Sequence, residues 1–367
     1  MDKMLNYFCA SHKPFVVPVF IPHAGCPHRC VFCDQTRTTG RSAEFPDPDR
    51  LRTDIDRFLA FRRDSRRPTE IAFFGGNFLG LTPERIRFLL DVGAAYVNNG
   101  KAQGVRFSTR PDTITAESLA LCAGYPVATV ELGVQSMNNK VLEISRRGHT
   151  AGDTRRAVAL LRTRPWRLGL QMMVGLPGDT PGQSLDTGAQ LADLAPDFVR
   201  IYPTLVLTGS PLAGWRAQGR YAPMELDPCV DLVKSLLAIF LDRGIPVARM
   251  GLQPTADLNA GAGVEAGPFH PAFGDLVHAA LWRDALRRCL ELHPSEGKNI
   301  EISVHPSNLS RVRGQRNATV KWLARTFKPA SITVRPTPDL PPDTALINGR
   351  MCPLLGDARS PVSPLAR

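Results

Sequence analysis

The sequence predicts an α/β protein: a partial parallel (β/α)6 barrel with a smaller C-terminal α+β extension. Three observations carry that expectation. Strand-like apolar runs alternate with helical stretches through the N-terminal part of the chain. Most of these runs end in a chemically distinctive turn, and a barrel carries its active face along the C-terminal edge of its strands. The turn after the first run holds cysteines, where a doubly wound sheet would place the glycines that cradle a nucleotide.

The first run, 15–21, leads into the cysteine loop, and a helix is expected from about Asp47 to Phe61. The second run, 70–74, ends in Gly75-Gly76-Asn77 and is followed by a helix over 82–98, with Thr82 and Pro83 as N-cap and first helical residue. The third run, 104–108, ends in Thr109-Arg110-Pro111-Asp112, and the fourth, 128–134, in Gln135-Ser136. The fifth, 167–174, ends in Gly175-Leu176-Pro177-Gly178, and the sixth, 197–202, continues through Leu207. Beyond Asp227 come an amphipathic helix over 228–243, a Gly-rich stretch over 251–270 that includes His270, a helix over 273–292 and a strand over 299–304. The expected boundaries are therefore 1–226 for the barrel and 227–335 for the extension. The Pro-rich segment 336–367 reads as a poorly ordered tail.

The chemistry concentrates in Cys26, Cys30 and Cys33. Thiolates at C-x3-C-x2-C spacing can each hold one iron of a cubane cluster and leave the fourth iron open to a second molecule. A zinc site using His23 or His28 is the alternative, although zinc sites usually pair two cysteine knuckles and only one is present. Cys9, Cys122, Cys229, Cys289 and Cys352 are scattered singly and read as small buried apolar residues. An oxygen-sensitive cluster and unpaired cysteines both predict a cytoplasmic protein. No apolar stretch approaches the roughly 20 residues of a membrane span, and no signal peptide is visible at the N-terminus.

The formal net charge is +11, from 45 Lys and Arg against 34 Asp and Glu, which suggests an anionic partner such as nucleic acid. The most basic stretch holds Arg311, Arg313, Arg316, Lys321, Arg325 and Lys328 with no acidic residue among them.

The cysteine motif and the βα series after it resemble the radical S-adenosylmethionine (SAM) enzymes. Five further segments resemble the radical SAM half of the Elongator catalytic subunit family, which modifies the tRNA wobble uridine: 74–81, 109–112, 130–136, 147–150 and 173–178. The resemblance runs over roughly 15–225, and oxygen-independent coproporphyrinogen oxidase is a more distant relative. It implies a [4Fe–4S] cluster on Cys26, Cys30 and Cys33, with SAM chelating the open iron. It also implies an external one-electron reductant and hydrogen abstraction from a substrate, with tRNA as one candidate and a small metabolite or tetrapyrrole as another.

For cofactor contacts the resemblance points to Phe32, Gly75, Gly76, Asn77, Ser108, Gln135 and Arg147. Gln135 would take the SAM ribose and Arg147 the SAM carboxylate. Ser108 stands where relatives often carry a Glu, and Gln171 where the coproporphyrinogen oxidase group has an Asp. A hydroxyl cannot replace a carboxylate as a paired acceptor for a ribose diol. The family's acetyltransferase domain has no counterpart in the sequence, so acetyl transfer is not expected. A non-catalytic zinc-holding nucleic-acid module is the reading from another functional class.

Overall fold

The computed structural model describes residues 14–35, 45–64, 67–252, 263–294 and 298–356. They form two compact units. One contains the described residues up to Cys229 together with Ile245–Pro271, and the other contains Val230–Gly244 and the residues from Ala272 onward.

The first unit is a half-barrel of seven parallel strands. In chain order its elements are β1 (Phe15–Phe20), α1 (Pro48–Leu59), β2 (Thr69–Phe74), α2 (Pro83–Asn98), β3 (Gly104–Thr109), α3 (Ala116–Ala120), β4 (Val127–Gln135), α4 (Asn139–Ile144) and α5 (Ala151–Leu161). They continue as β5 (Arg167–Val174), α6 (Pro181–Asp193), β6 (Phe198–Pro203), β7 (Val206–Leu207) and α7 (Pro211–Ala217). Helix α8 (Leu226–Asp242), which belongs to the second unit from Val230 onward, precedes β8 (Val247–Met250) and β9 (Val264–Ala266) of the first. The sheet order is β1-β2-β3-β4-β5-β6-β8, while β7 and β9 pair separately as a small antiparallel ribbon. Strand β1 is an edge strand, which is where Pro18, lacking an N–H, can be tolerated.

The sheet thus gains a seventh strand beyond the six expected. Val247-Ala-Arg-Met250 is only four residues long and is interrupted by Arg249, so it gives little strand signal. The sixth run likewise does not continue through Leu207, because Val206 and Leu207 leave the main sheet to pair with β9.

Alternation along the strands assigns the faces. Gly93 of α2 lies directly against Val105, and Phe73 is close by, so these residues face the helices. Phe78 extends that apolar layer, stacked on Phe107 with ring centroids 4.4 Å apart. The alternate positions Glu70, Phe74, Arg106 and Ser108 therefore line the concave face. That face is unusually charged for a parallel sheet. Arg106 Nε lies 2.5 Å from Glu70 Oε2, and Arg106 Nη1 donates to Glu131 Oε1 at 2.8 Å. Arg200 Nε lies 2.6 Å from Glu131 Oε2. Burial alone would raise the Glu131 carboxyl, but Arg200 and Arg106 together hold it below the ordinary range.

The second unit contains α9 (Phe273–Leu292), β10 (Asn299–Val304), α10 (Leu309–Arg313), α11 (Ala318–Phe327), β11 (Ser331–Pro336), β12 (Thr344–Ile347) and β13 (Arg350–Pro353). Its sheet has the order β11-β10-β12-β13. Two sequence expectations are corrected here. Residues 337–356 are not a loose tail: β12 pairs antiparallel with β10, and β13 with β12. Pro338, Pro341 and Pro342 sit in the turn before β12, Pro336 and Pro353 end β11 and β13, and residues 357–367 lie outside the described residues. Cys289 and Cys352 are not isolated thiols either, but form a disulfide joining α9 to β13 across a separation of 63 residues. Among the described residues no helix is long and apolar enough to cross a membrane.

Glu131→Gln should lower stability by about 3–5 kcal/mol, since it leaves two buried guanidiniums short of a counter-charge. Because the folded carboxyl is depressed, its contribution is complete above the unfolded Glu pKa of about 4.3 and is lost as pH falls through the folded value. Urea unfolding should therefore show the gap between variant and wild type closing in acid.

Candidate metal and cofactor site

The cysteine loop connects β1 to the rest of the barrel, and its path is set by contacts with the turn after β2. Ile21 N–H donates to Phe74 O at 2.8 Å, and Asn77 N–H donates to Ala24 O at 2.7 Å. Gly25, Gly75 and Gly76 have φ of +71°, +79° and +62°, conformations that favour glycine. A Cβ on Gly25 would collide with Asn77 O, and one on Gly76 with Ala24 O, so the two turns touch backbone to backbone.

Asn77 is fully buried and its side chain locks this junction. Its Nδ2 donates to Gly25 O at 3.0 Å. Its Oδ1 accepts from Thr109 Oγ1 at 2.7 Å, from Arg110 N–H at 3.0 Å and from Thr113 Oγ1 at 3.0 Å. Asn77, expected among the cofactor contacts, has its polar side-chain atoms engaged within the protein. Gln35 makes a second lock: its Oε1 accepts from Gly76 N–H at 2.7 Å and from His23 N–H, and its own N–H donates to His23 Nε2 at 3.0 Å.

Cys30 is buried, while Cys26 and Cys33 are partly exposed. Burial pushes the Cys33 thiol up to about 12, reinforced by its neighbours Cys30 and Cys26. Burial also raises Cys26, against the pull of Arg147. These groups stay protonated until a cation compensates them, so metal loading must release protons. Among the described residues no three His, Cys, Asp or Glu side chains form a ready shell for a single ion. In a cubane cluster, by contrast, each thiolate takes a different iron.

Arg147 sits behind the loop and is 8% exposed. Its Nη1 points at Cys30 Sγ at 3.5 Å, and its Nη2 donates to Gly133 O at 2.6 Å. A Cβ on Gly133 would lie 2.7 Å from Arg147 Nη2 and 3.0 Å from Gln135 Nε2, so the missing side chain makes room for both residues. Gln135 is buried and has φ of +71°, a strained conformation for a residue with a Cβ. Its Oε1 accepts from Gln171 Nε2 at 3.3 Å. His28, inside the cysteine loop, packs on Gly148 so closely that a Cβ there would strike the imidazole.

His149 is buried with Nε2 3.1 Å from Val134 O. Burial, with Arg147 and Arg110 adding to it, pulls its pKa down to about 3, so the imidazole is neutral and Nε2 donates. Arg110 is 1% exposed and makes a two-pronged ion pair with Asp112, both contacts at 2.9 Å.

The test of fit is the set of buried polar atoms left over. Arg147 Nε, His149 Nδ1 and Arg110 Nη1 have no hydrogen-bond partner among the described residues. Buried polar atoms are normally paired. They are three of ten such atoms among the described residues; Arg147 and Arg110 act on the Cys26 thiol and both act on His149, and nitrogens left over in this neighbourhood fit a polar, metal-held ligand.

The sequence-predicted residues divide in this structure. Cys26, Cys30, Cys33, Gly75, Gly76, Gln135 and Arg147 gather at the C-terminal edge of the sheet. Phe32 packs beside them on an apolar cluster of Val31, Val206 and Leu212, with Trp215 and Tyr221. Ser108 lies on the concave face, in register with Glu131 and one residue before Thr109. His270 follows β9, and residues 253–262 of the Gly-rich stretch lie outside the described residues. Sequence reasoning missed Gln35 and the orphaned atoms of Arg110 and His149, and it weighed His23 only as a zinc ligand, not as a partner of Gln35. Arg110 stood in the quoted motif that follows β3 and His149 in the quoted segment 147–150 between α4 and α5, and those motifs were the available signal.

Comparison with known proteins agrees with this geometry. Residues 20–187 match the radical SAM superfamily model, and residues 196–283 match the radical SAM C-terminal domain model. An uncharacterized protein of Methanocaldococcus jannaschii is 28% identical over 243 residues, covering 62% of this chain and 72% of that protein. A tRNA uridine(34) acetyltransferase of Dehalococcoides mccartyi is 27% identical over 246 residues, covering 58% of this chain and 54% of its own. The chain thus spans about half the length of that relative. The structure of an archaeal Elp3 from Methanocaldococcus infernus, with an N-terminal deletion, aligns over 75% of this chain and 64% of that one, with a TM-score of 0.59 and 20% identity. At that identity the likeness is one of fold.

Two variants test the site. Cys30→Ala should abolish assembly of a four-iron cluster, read as iron and sulfide per chain after anaerobic reconstitution. Gly76→Ala leaves every ligand in place, yet its Cβ collides with Ala24 O and its φ is positive. It should cost about 1–3 kcal/mol in stability and reduce iron uptake, whereas Gly219→Ala, with open space around it, should take up iron normally.

Proposed function

The chain belongs to the radical SAM superfamily, and from that premise we propose that Cys26, Cys30 and Cys33 hold its [4Fe–4S] cluster and that it acts on RNA. One observation carries the site assignment: Arg147 reaches both Cys30 Sγ and Gly133 O, which brings the cysteine loop and the end of β4 to one place. The family's cofactors, a [4Fe–4S] cluster and SAM, supply reductive cleavage of SAM to a 5′-deoxyadenosyl radical that abstracts hydrogen from substrate.

The chain's own residues bind and orient. Arg147, through its unpartnered Nε, takes the SAM carboxylate as a charge-assisted partner. Gly75, with no side chain and no close neighbour to a Cβ, lets the backbone approach the methionine portion. Gln135, held in place by Gln171, offers its amide to the ribose hydroxyls, so an amide serves where relatives use carboxylates. Phe32, with Trp215 and Tyr221 around it, makes the apolar wall for the adenine. Neutral His149 keeps one proton on Nε2 for Val134 O and leaves a lone pair on Nδ1, so it can accept but not carry charge.

The RNA reading is supported by the excess of basic residues and by relatives named as tRNA uridine(34) acetyltransferases. In the second unit Arg311 pairs with Asp275 and Arg313 donates to Val334 O, so these two serve structure. Arg316, Lys321, Arg325 and Lys328 are exposed. Lys321 and Arg325 follow i, i+4 spacing on one face of α11, and Lys328 caps that helix in a left-handed conformation, so the helix carries exposed cations suited to phosphates. Membership of an enzyme family sets aside the non-catalytic zinc module.

Anaerobically reconstituted protein given dithionite and SAM should form 5′-deoxyadenosine, and tRNA should accelerate it. Binding of tRNA should weaken steeply between 50 and 200 mM salt, by about tenfold or more for even a few phosphate contacts. Salt-independent binding, or acceleration only by a small metabolite or tetrapyrrole, defeats the RNA part. Absence of 5′-deoxyadenosine with every candidate substrate defeats the radical part.

A further inference from the structure

Five barrel strands each carry one ionised residue in a linked set on the concave face: Glu70, Arg106, Glu131, Arg200 and Arg249. Four of them neutralise one another. Arg106 lies between Glu70 and Glu131, and Arg200 closes on Glu131. Arg249 is the fifth. It stands opposite Arg200 in the β6–β8 register, and Arg200 itself stands opposite Gln171 of β5. No carboxylate, carbonyl or hydroxyl accepts a hydrogen bond or ion pair from Arg249 among the described residues. It is partly buried, and that burial and the neighbouring Arg200 both oppose its charge. Three guanidiniums therefore face two carboxylates, leaving one positive charge without a counter-charge. Arg167 does not alter this balance, since it is exposed and lies over the Phe198 ring in the row of Thr129, below the level of Arg249.

A partly buried cation without a partner is costly unless something anionic offsets it. Strand β8 ends the sheet order, so Arg249 stands at the open lateral edge of the half-barrel. Tyr202 adds a second donor: its Oη accepts from Arg200 Nη1 at 3.4 Å, which leaves its own proton free to donate. We propose that Arg249 and Tyr202, backed by Arg200, form an anion subsite of the substrate chamber that takes a phosphate group of the substrate. A guanidinium fork and a hydroxyl from adjacent strands supply several donors, which suits the oxygens of a phosphate. The choice of phosphate over carboxylate rests on the RNA reading above, whereas the anion subsite rests on Arg249 alone.

The test is calorimetry on the reconstituted full-length chain with uridine monophosphate as the probe, and with uridine and malonate as companions. Wild type should bind uridine monophosphate and not uridine. Arg249→Met should weaken binding about 10- to 100-fold, the span of a charge-assisted hydrogen bond, and Arg249→Lys should recover part of it. Arg249→Met should also melt no lower than wild type, because the removed charge had no partner. Equal affinity in wild type and Arg249→Met overturns the proposal, as does a variant that melts several degrees lower, which would make Arg249 structural. Malonate binding as tightly as uridine monophosphate overturns the phosphate assignment. If Arg249-dependent binding persists in protein that never cleaves SAM, the radical reading fails while the subsite stands.

Discussion

The backbone contact between the cysteine loop and the turn after β2 is the constraint on which the rest of this structure depends. Gly25 and Gly76 let two chain segments approach closer than any side chain allows, and Asn77 fastens them through its backbone N–H to Ala24 O and its Nδ2 to Gly25 O. Because Asn77 also binds Thr109, Arg110 and Thr113, the ends of β2 and β3 are tied to the loop in one buried junction. The thiols are thus delivered to the sheet edge by a packed scaffold, although the loop has little regular structure of its own. Positions on a packed scaffold hold reacting groups more accurately than free loops do.

A second consequence concerns charge. The loop lies next to Arg147 and within the field of Arg110, whose ion pair with Asp112 leaves one buried nitrogen unpartnered. Cationic surroundings favour thiolates and anionic ligands, while burial of the free thiols disfavours their ionisation. The site is therefore balanced to gain its negative charge together with a metal. Deeper in the barrel the same bookkeeping recurs, with Glu70 and Glu131 balancing Arg106 and Arg200. The chamber is polar by construction, in contrast to the apolar layer of Phe73, Phe78 and Phe107 beneath the helices.

Much of this was legible in the sequence, for physical reasons. The three cysteines, the Gly75-Gly76 turn and the Arg147 segment are short-range patterns, and their order along βα units indicates the barrel edge. Long-range pairings were not legible. Cys289 and Cys352 each look like a lone apolar cysteine, and only the fold of the second unit joins them. Strand β8 was hidden by its brevity and by Arg249, while β12 and β13 were hidden behind prolines that in fact belong to a turn and to strand ends. Asn77 was expected among the cofactor contacts, and its side-chain atoms bond Gly25, Thr109, Arg110 and Thr113, which the motif alone did not reveal. One signal was present and unread: single charged residues inside otherwise apolar strands, as in Glu70, Arg106, Glu131 and Arg200, mark an inward polar face.

The central claim is that the loop presents a cluster with one iron left open to SAM beside Arg147. Electron paramagnetic resonance of the reconstituted, dithionite-reduced protein, recorded before and after SAM is added, tests it most directly. The account predicts the signal of a reduced four-iron cluster whose g-values shift when SAM is added, with a much weaker shift in Arg147→Ala at the same SAM concentration. A four-iron signal that is identical with and without saturating SAM would contradict it.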